Sequence, residues 1–178
     1  MAVLGAVFIA NGTPLEEPAF HKGIDSGSCS VLTNVDGAMY TVAVGIGTPE
    51  QRVDVVVDTG SNLLIAESCL CKDRGYCEPN TKCFKEKDSS SLSLVEGKRG
   101  PSTAILNFGS GSILTEVATD VVRIGSVKAH MKKGVMLMID QLLDFSGEDF
   151  EGICGLGMPN AEDGALALRI APRTSPFE

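Results

Sequence analysis

The sequence predicts an all-β protein. Its 178 residues include 20 glycines and 8 prolines, and short runs rich in valine and isoleucine recur between them. This pattern is typical of strands joined by tight turns and argues against a helical bundle. The apolar fraction is 43%, and the aromatic fraction is 5% with no tryptophan. A chain of this length makes one substantial domain, and aliphatic side chains are expected to fill most of its core.

The clearest predicted element is a hairpin in the first third of the chain. Tyr40 to Ile46 reads as a strand, residues 47–50 as a turn and Arg52 to Val57 as the returning strand. The second arm leads into Asp58-Thr59-Gly60-Ser61, and Leu63 to Ala66 continues in extended form. A carboxylate is therefore expected where an apolar strand meets a turn.

A second hairpin is predicted further along, with a glycine-rich tip. Ala104 to Phe108 and Ser112 to Thr115 flank Gly109-Ser110-Gly111. Between the two hairpins, the segment 69–83 and Asp88-Ser89-Ser90-Ser91 are expected to form an exposed connector. The remaining predictions are strands at 117–124, 127–131, 135–139 and 150–156, a turn at Lys132-Lys133-Gly134, and a helix beginning at 165–170.

The cysteines cluster in one polar segment. Four of the six fall within residues 69–83, in spacings that do not form the paired Cys-x-x-Cys units of structural zinc sites. This favours disulfides over a metal, and disulfides imply an oxidising compartment, here the secretory pathway. Cys154 lies in an apolar run and is expected to be a buried free thiol. The disulfide candidates are Cys29, Cys69, Cys71, Cys77 and Cys83.

Charge and hydropathy exclude two classes of partner. The formal net charge of −8 argues against nucleic acid, because phosphate binding needs clustered lysine and arginine. No run approaches the roughly 20 apolar residues that span a bilayer. Residues 1–38 are expected to be a leader, and 39–178 one β domain. Val3 to Ala10 fits either a short signal-peptide core or a buried strand, and both interpretations stay open.

The residues of the Asp58 turn suit carboxylate chemistry. Gly60 lets backbone amides approach the carboxylate. The Thr59 hydroxyl can hydrogen-bond across to an equivalent loop, and the Ser61 hydroxyl can orient Asp58 from outside. Taken alone, the same letters also fit an Asx-type turn that ends a hairpin. The apolar strand on each side makes the catalytic interpretation stronger.

Four motifs that follow one another along the chain strengthen the catalytic interpretation. Tyr40 to Pro49, followed by the Asp58 turn, resembles the opening of the N-terminal lobe of pepsin-family aspartic proteases. The other three resemble that family's flap tip, the strand after the flap, and the apolar-Gly segment behind the catalytic loop; they are Asn107 to Ser112, Asp120 to Gly125 and Phe150 to Gly157. The resemblance implies a single pepsin-like lobe, a β-barrel with a flap hairpin.

The resemblance also implies roles for individual residues. In the family two carboxylates share one proton and activate a water, which attacks a peptide bond. Asp58 would be one of them, with Thr59 and Gly60 as its loop and Ser61 as its orienting residue. The segment behind the loop would be Ile153, Cys154 and Gly155. The flap over the substrate would be Phe108, Gly109, Ser110, Gly111 and Ser112.

Three departures from the family pattern limit the resemblance. Phe108 stands where the flap normally has tyrosine, and Ile65 stands near the place of a tryptophan, so packing is expected to replace a hydrogen-bond relay. No second Asp-Thr/Ser-Gly follows Pro159, and Asp25-Ser26-Gly27 lacks a supporting strand. The second carboxylate is therefore expected from a C-terminal lobe of the same gene or from a second copy.

The predicted function is that of an aspartic endopeptidase. Its substrate would be a peptide or protein laid in extended form beneath the flap, and no cofactor or metal is expected. The alternative is a catalytically inactive lobe that binds peptides or proteins. A homodimer in which two copies of Asp58 meet is a third interpretation. The family resemblance implies a secreted, vacuolar or lysosomal location.

Overall fold

The computed structural model describes residues 30–109, 111–143 and 151–157. In that part of the chain eleven strands accompany one short helix and one 3₁₀ turn. The first strands are β1 (Leu32–Val35), β2 (Met39–Ile46), β3 (Gln51–Asp58) and β4 (Leu64–Glu67), and they precede helix α1 (Cys69–Asp73) and the 3₁₀ turn (Glu86–Asp88). The later strands are β5 (Ser93–Leu94), β6 (Glu96–Gly97), β7 (Gly100–Pro101), β8 (Thr103–Phe108), β9 (Gly111–Ile124), β10 (Val127–Leu143) and β11 (Gly152–Gly155).

One sheet closes on itself to form a barrel. The strands are hydrogen-bonded in the order β2, β3, β11, β4, β10 and β9, and β9 returns to pair with β2. Strands β1, β5 and β8 extend this sheet outside the ring, while β6 and β7 form a separate two-stranded sheet. The predicted all-β fold, a single pepsin-like lobe, is confirmed.

Aliphatic side chains fill the barrel, as the composition predicts. Alternate residues of β2 and β3 point inward, because successive side chains of a strand face opposite sides. They meet apolar residues from β4, β9, β10 and β11 in one cluster. Its buried members are Val42, Val44, Ile46, Val53, Val55, Leu64, Ala66, Phe84, Ala118, Val122, Met131, Val135, Leu137 and Cys154.

Two strand assignments differ from the sequence-based prediction. Strand β1 lies in the segment predicted as a leader and pairs antiparallel with β2; its residues are mostly exposed, so no apolar period marks it. Strand β9 runs without a break where two strands were predicted. The buried Glu116 interrupts its apolar pattern but not its backbone pairing.

The predicted turn at residues 132–134 is wrong. Strand β10 continues through it, and the pairing with β9 shifts register between Met131 and Val135. This is a bulge, in which Lys133 has a φ of 51° and its amide donates to Thr119 Oγ1 at 2.9 Å. A polar turn sequence within a long strand gave the same local pattern as a hairpin.

The serine-rich segment 88–91 is not the exposed connector that was predicted. Ser89 and Ser91 are half-buried, and their hydroxyls donate to the two carboxylate oxygens of Asp120 at 2.9 and 2.6 Å. Asp120 itself is fully buried and also accepts from the amide of Val121. The carboxylate needs these donors because an unpaired buried charge is costly, and they fix the segment to β9.

The prediction of a disulfide-stapled loop is confirmed. Cys69 is bonded to Cys83 and Cys71 to Cys77, and Cys154 is a buried free thiol. The loop is less exposed than predicted, because Cys71, Cys77 and the nearby Phe84 are buried. Five predictions lie outside the described residues: Cys29, the leader segment 3–10, Asp25-Ser26-Gly27, Ser110 and the helix at 165–170.

Neither a membrane span nor a metal cluster is found in the described ranges. No helix there has the length and apolar character that crossing a bilayer requires. The same residues contain no group of three or more histidine, cysteine, aspartate or glutamate side chains that could hold a metal ion.

Candidate active site

Asp58 lies where β3 ends, at the start of the loop that leads to β4. Its Oδ1 accepts a hydrogen bond of 2.8 Å from the amide of Gly60. The side chain of Asp58 is half-buried, whereas Thr59 and Gly60 are exposed. The loop therefore holds one carboxylate oxygen with a backbone donor and presents the carboxylate at the surface of the barrel.

Strand β11 passes between the two strands that carry this loop. It is parallel to β3, with Gly155 opposite Asp58, and antiparallel to β4, with Cys154 opposite Leu64. Three backbone hydrogen bonds of 2.7 to 2.9 Å tie residues 155–157 to the loop; they join Gly155 N to Leu63 O, Leu156 N to Asp58 O and Gly157 N to Ser61 O. Both ends of the loop are thus fixed by one passing segment.

Close backbone approach explains the glycine at position 155. A Cβ on Gly155 would lie 2.5 Å from the amide nitrogen of Leu63 and 2.7 Å from that of Asn62. Both atoms belong to the backbone, so no side-chain rotation could relieve the contact. The loop that presents Asp58 keeps its shape because β11 has no side chain at this point.

Ser61 does not make the predicted hydrogen bond to Asp58 in this structure. Its Oγ is buried and has no partner among the described residues. Leaving a hydroxyl unpaired in this way costs about 1–3 kcal/mol. The orienting role of Ser61 stays a prediction.

The hairpin of β8 and β9 carries the predicted flap. Phe108 is opposite Gly111, at the outer end of the pairing, and Gly109 follows in the turn. Exposed and half-buried residues alternate along β8. The half-buried set, Ala104, Leu106 and Phe108, packs on a second apolar cluster, separate from the barrel core.

The flap hairpin and the end of the Asp58 loop pack on this same second cluster. Phe108 packs against it, as do Leu63, which ends the loop, and Ile153 of β11. Ile65 is a buried member, with 2% of its surface exposed. Phe108 and Ile65 thus share one packed apolar environment. The replacement of a polar relay by packing stays a prediction. The shared cluster was not predictable locally, although the period-two pattern of β8 indicates which of its residues face inward.

Glu67, which ends β4, and Glu116, within β9, are both buried. Glu67 accepts from Thr81 Oγ1 at 2.9 Å, and Lys72 Nζ lies 3.9 Å from the same oxygen, Oε1. Burial raises the pKa of Glu67; the hydrogen bond from Thr81 and the charge of Lys72 oppose that shift, while Glu151 and Glu78 add to it. Burial also raises the pKa of Glu116. The charge of Glu86 adds to this upward shift, and the charge of Arg74 opposes it.

These two raised pKa values predict greater stability in acid. A glutamic acid with a raised folded-state pKa contributes its full stability below the unfolded value of about 4.3, and that contribution is lost as the pH rises through the folded value. We expect the drop in melting temperature from acid to neutral pH to be smaller in Glu67→Gln than in the unsubstituted chain. Glu96→Gln, at an exposed position, is the control. Equal losses in all three proteins, measured by calorimetry, would contradict this assignment.

The model of the eukaryotic aspartyl protease family matches residues 39–171. This range contains the Asp58 loop, the flap and β11. The chain belongs to the eukaryotic aspartyl protease family. Renin of Canis lupus familiaris is 30% identical over 83% of this chain, and pregnancy-associated glycoprotein 1 of Ovis aries is 34% identical over 77%. Aspartic proteinase A2 of Arabidopsis thaliana is 34% identical over 76%.

These relatives are longer than the matched region. The match covers 36% of renin, 34% of pregnancy-associated glycoprotein 1 and 26% of aspartic proteinase A2. The chain therefore spans about a quarter to a third of the relatives it matches. Membership in the family is compatible with a peptidase function and with the two disulfides of this lobe.

Proposed function

We propose that this chain forms part of an aspartic endopeptidase and supplies Asp58 as one of its two catalytic carboxylates. The observation that carries the proposal is the Asp58 loop, which hydrogen bonds from residues 155–157 hold at both ends. Its last residue, Leu63, packs on the same apolar cluster as Phe108. Rigid support of this kind suits a group that must hold a water molecule in a fixed position. Family membership supports the reaction class.

In this mechanism the Asp58 carboxylate and a second carboxylate share one proton and hold the attacking water between them. One removes a proton from the water, and the other donates a hydrogen bond to the scissile carbonyl oxygen. The amide of Gly60 fixes Asp58 Oδ1. The exposure of Thr59 and Gly60 leaves that face of the loop accessible to a second lobe of the same gene or to a second copy, either of which would bring the partner carboxylate.

The substrate is proposed to be an extended peptide with apolar side chains near the cleaved bond. It would lie beneath the flap, where Phe108 shields the site from water. Phe108 packs on an apolar cluster and has no hydroxyl to donate. This part of the flap therefore offers the substrate an apolar surface and no side-chain hydrogen bond. The two disulfides support synthesis in the secretory pathway, with a secreted, vacuolar or lysosomal product.

A peptide- or protein-binding lobe without catalytic activity is the second candidate. Phe108 lacks the hydroxyl of the family's usual flap residue. This observation favours a lobe that binds peptides without cleaving them. A homodimeric peptidase would instead bring two copies of Asp58 together.

Size-exclusion chromatography with light scattering, combined with digestion of an unfolded protein at about pH 4, separates these functions. A peptidase made of two copies should cleave and elute near twice the 18.7 kDa chain mass. A folded monomer that binds peptide and cleaves only when a partner lobe is added supports the two-lobed peptidase. A monomer that binds peptide but stays inert with that lobe supports the binding function. Cleavage by the isolated monomer would contradict the two-carboxylate mechanism.

A further inference from the structure

The second apolar cluster joins the flap to one of the two disulfides. Its buried members include Cys71 and Cys77, the two halves of one bridge, together with Ile113 of the flap strand β9. Cys71 is fully buried and Cys77 is 8% exposed. The half-buried residues that pack on this cluster include Ala104, Leu106, Phe108 and Val117, all of which belong to β8 or β9.

Strand β10 connects the disulfide to the flap strands. Helix α1, which carries Cys71, packs against β10. Strand β10 supplies Met136 and Met138 to the cluster and pairs along its length with β9. The disulfide and the half-buried residues of the flap hairpin therefore pack on the same apolar cluster.

The other disulfide has a different position. Cys69 and Cys83 belong to neither apolar cluster and are half-buried. They join the start of α1 to the segment before Phe84, where the amide of Cys69 also donates to the carbonyl of Phe84 at 2.9 Å. The Cys69–Cys83 bridge closes the longer loop, a sequence separation of 14 against 6 for Cys71–Cys77. A chain-entropy account of disulfides therefore expects it to stabilise the fold more.

We propose that the Cys71–Cys77 disulfide is a positioning element for the flap, and that it acts by apolar packing beneath the hairpin. Packed interiors transmit small changes in volume, because few voids are available to absorb them. Loss of the two sulfur atoms would leave space beneath Ile113 and the methionines, and the flap hairpin would open more often. Closure of the flap over a peptide rests on the proposed function. Positioning of the flap by the disulfide does not depend on that function.

Amide hydrogen exchange measured by NMR tests this directly. In Cys71→Ala/Cys77→Ala we expect the amides of residues 103–117 to exchange about tenfold faster, while those of the β2–β3 hairpin change much less; tenfold corresponds to about 1.4 kcal/mol in local opening. The matched control is Cys69→Ala/Cys83→Ala, which also removes one disulfide. It should destabilise the fold without concentrating faster exchange on the flap.

A third variant separates packing from the covalent link. Cys71→Val/Cys77→Ala returns apolar volume to the cluster without a bridge, and it should restore most of the flap's protection. Two outcomes would overturn the proposal: equally fast flap exchange in the valine and alanine variants, or flap exchange accelerated equally by removal of either disulfide. If Cys71→Ala/Cys77→Ala does not fold, exchange is measured in Cys71→Val/Cys77→Ala alone. Faster exchange confined to the flap amides of that variant would also overturn the proposal. The readout needs no enzymatic activity, so failure of the proposed function would leave this test intact.

Discussion

Replacing Asp58 by asparagine is expected to lower peptide-bond hydrolysis about 10³-fold in the assembled peptidase, which is this chain together with the partner that supplies the second carboxylate. The amide cannot accept a proton from water or share one with a second carboxylate. Its oxygen can still accept the hydrogen bond that Gly60 N now donates to Oδ1 at 2.8 Å, so the loop should keep its shape. Steady-state kinetics on a peptide substrate in acid would show a lower kcat with little change in KM.

The control is Asp88→Asn, an aspartate exposed in the 3₁₀ turn. It removes the same charge from the chain and should leave hydrolysis unchanged. A folded Asp58→Asn protein that keeps more than about a tenth of the activity would mean that Asp58 is not a catalytic carboxylate, because removal of a general acid or base costs at least about 10²-fold.

Gly155→Ala is expected to cause a large loss of stability, because β11 passes close behind the Asp58 loop. The new Cβ would meet backbone atoms of Ser61, Asn62 and Leu63 at 2.5 to 2.7 Å. Relief requires moving β11 or the Asp58 loop, and overpacking of this kind costs about 3 kcal/mol. For a chain of this size that corresponds to a melting temperature lower by about 6–12 °C, measurable by calorimetry.

Gly109→Ala is the matched control, because a Cβ there would have no atom within 4 Å. Its melting temperature should stay within about 2 °C of the unsubstituted value, since surface substitutions usually change stability by less than about 0.5 kcal/mol. If Gly155→Ala were equally mild, the close passage of β11 behind the loop would not be a real constraint.

Local patterns predicted most of the elements that carry the candidate site. The β2–β3 hairpin, the turn after Asp58 and the flap hairpin each depend on residues near one another in sequence, so strand period and turn residues suffice. The bulge in β10 was mistaken for a turn because Lys132-Lys133-Gly134 fits both. Strand β1 was missed because its exposed residues carry no apolar period.

The support of the site depends on contacts that no local pattern contains. Glycines at 152, 155 and 157 are visible in the sequence, but their need for space depends on β11 lying between β3 and β4. Cysteine spacing predicted disulfides without their pairing, because four cysteines allow several pairings. The burial of Asp120 and its serine donors likewise joins segments about 30 residues apart.

The most direct test of the account is a calorimetric titration with a peptide that carries a hydroxyl group in place of the scissile carbonyl. Such a peptide mimics the hydrated transition state and binds more tightly than a substrate. We predict that it binds the assembled peptidase, and that Asp58→Ala weakens binding by about 10- to 100-fold through loss of a charged hydrogen bond, whereas Asp88→Ala does not. Equal affinity in the unsubstituted and Asp58→Ala proteins would contradict the central claim that Asp58 forms part of a peptide-cleaving site.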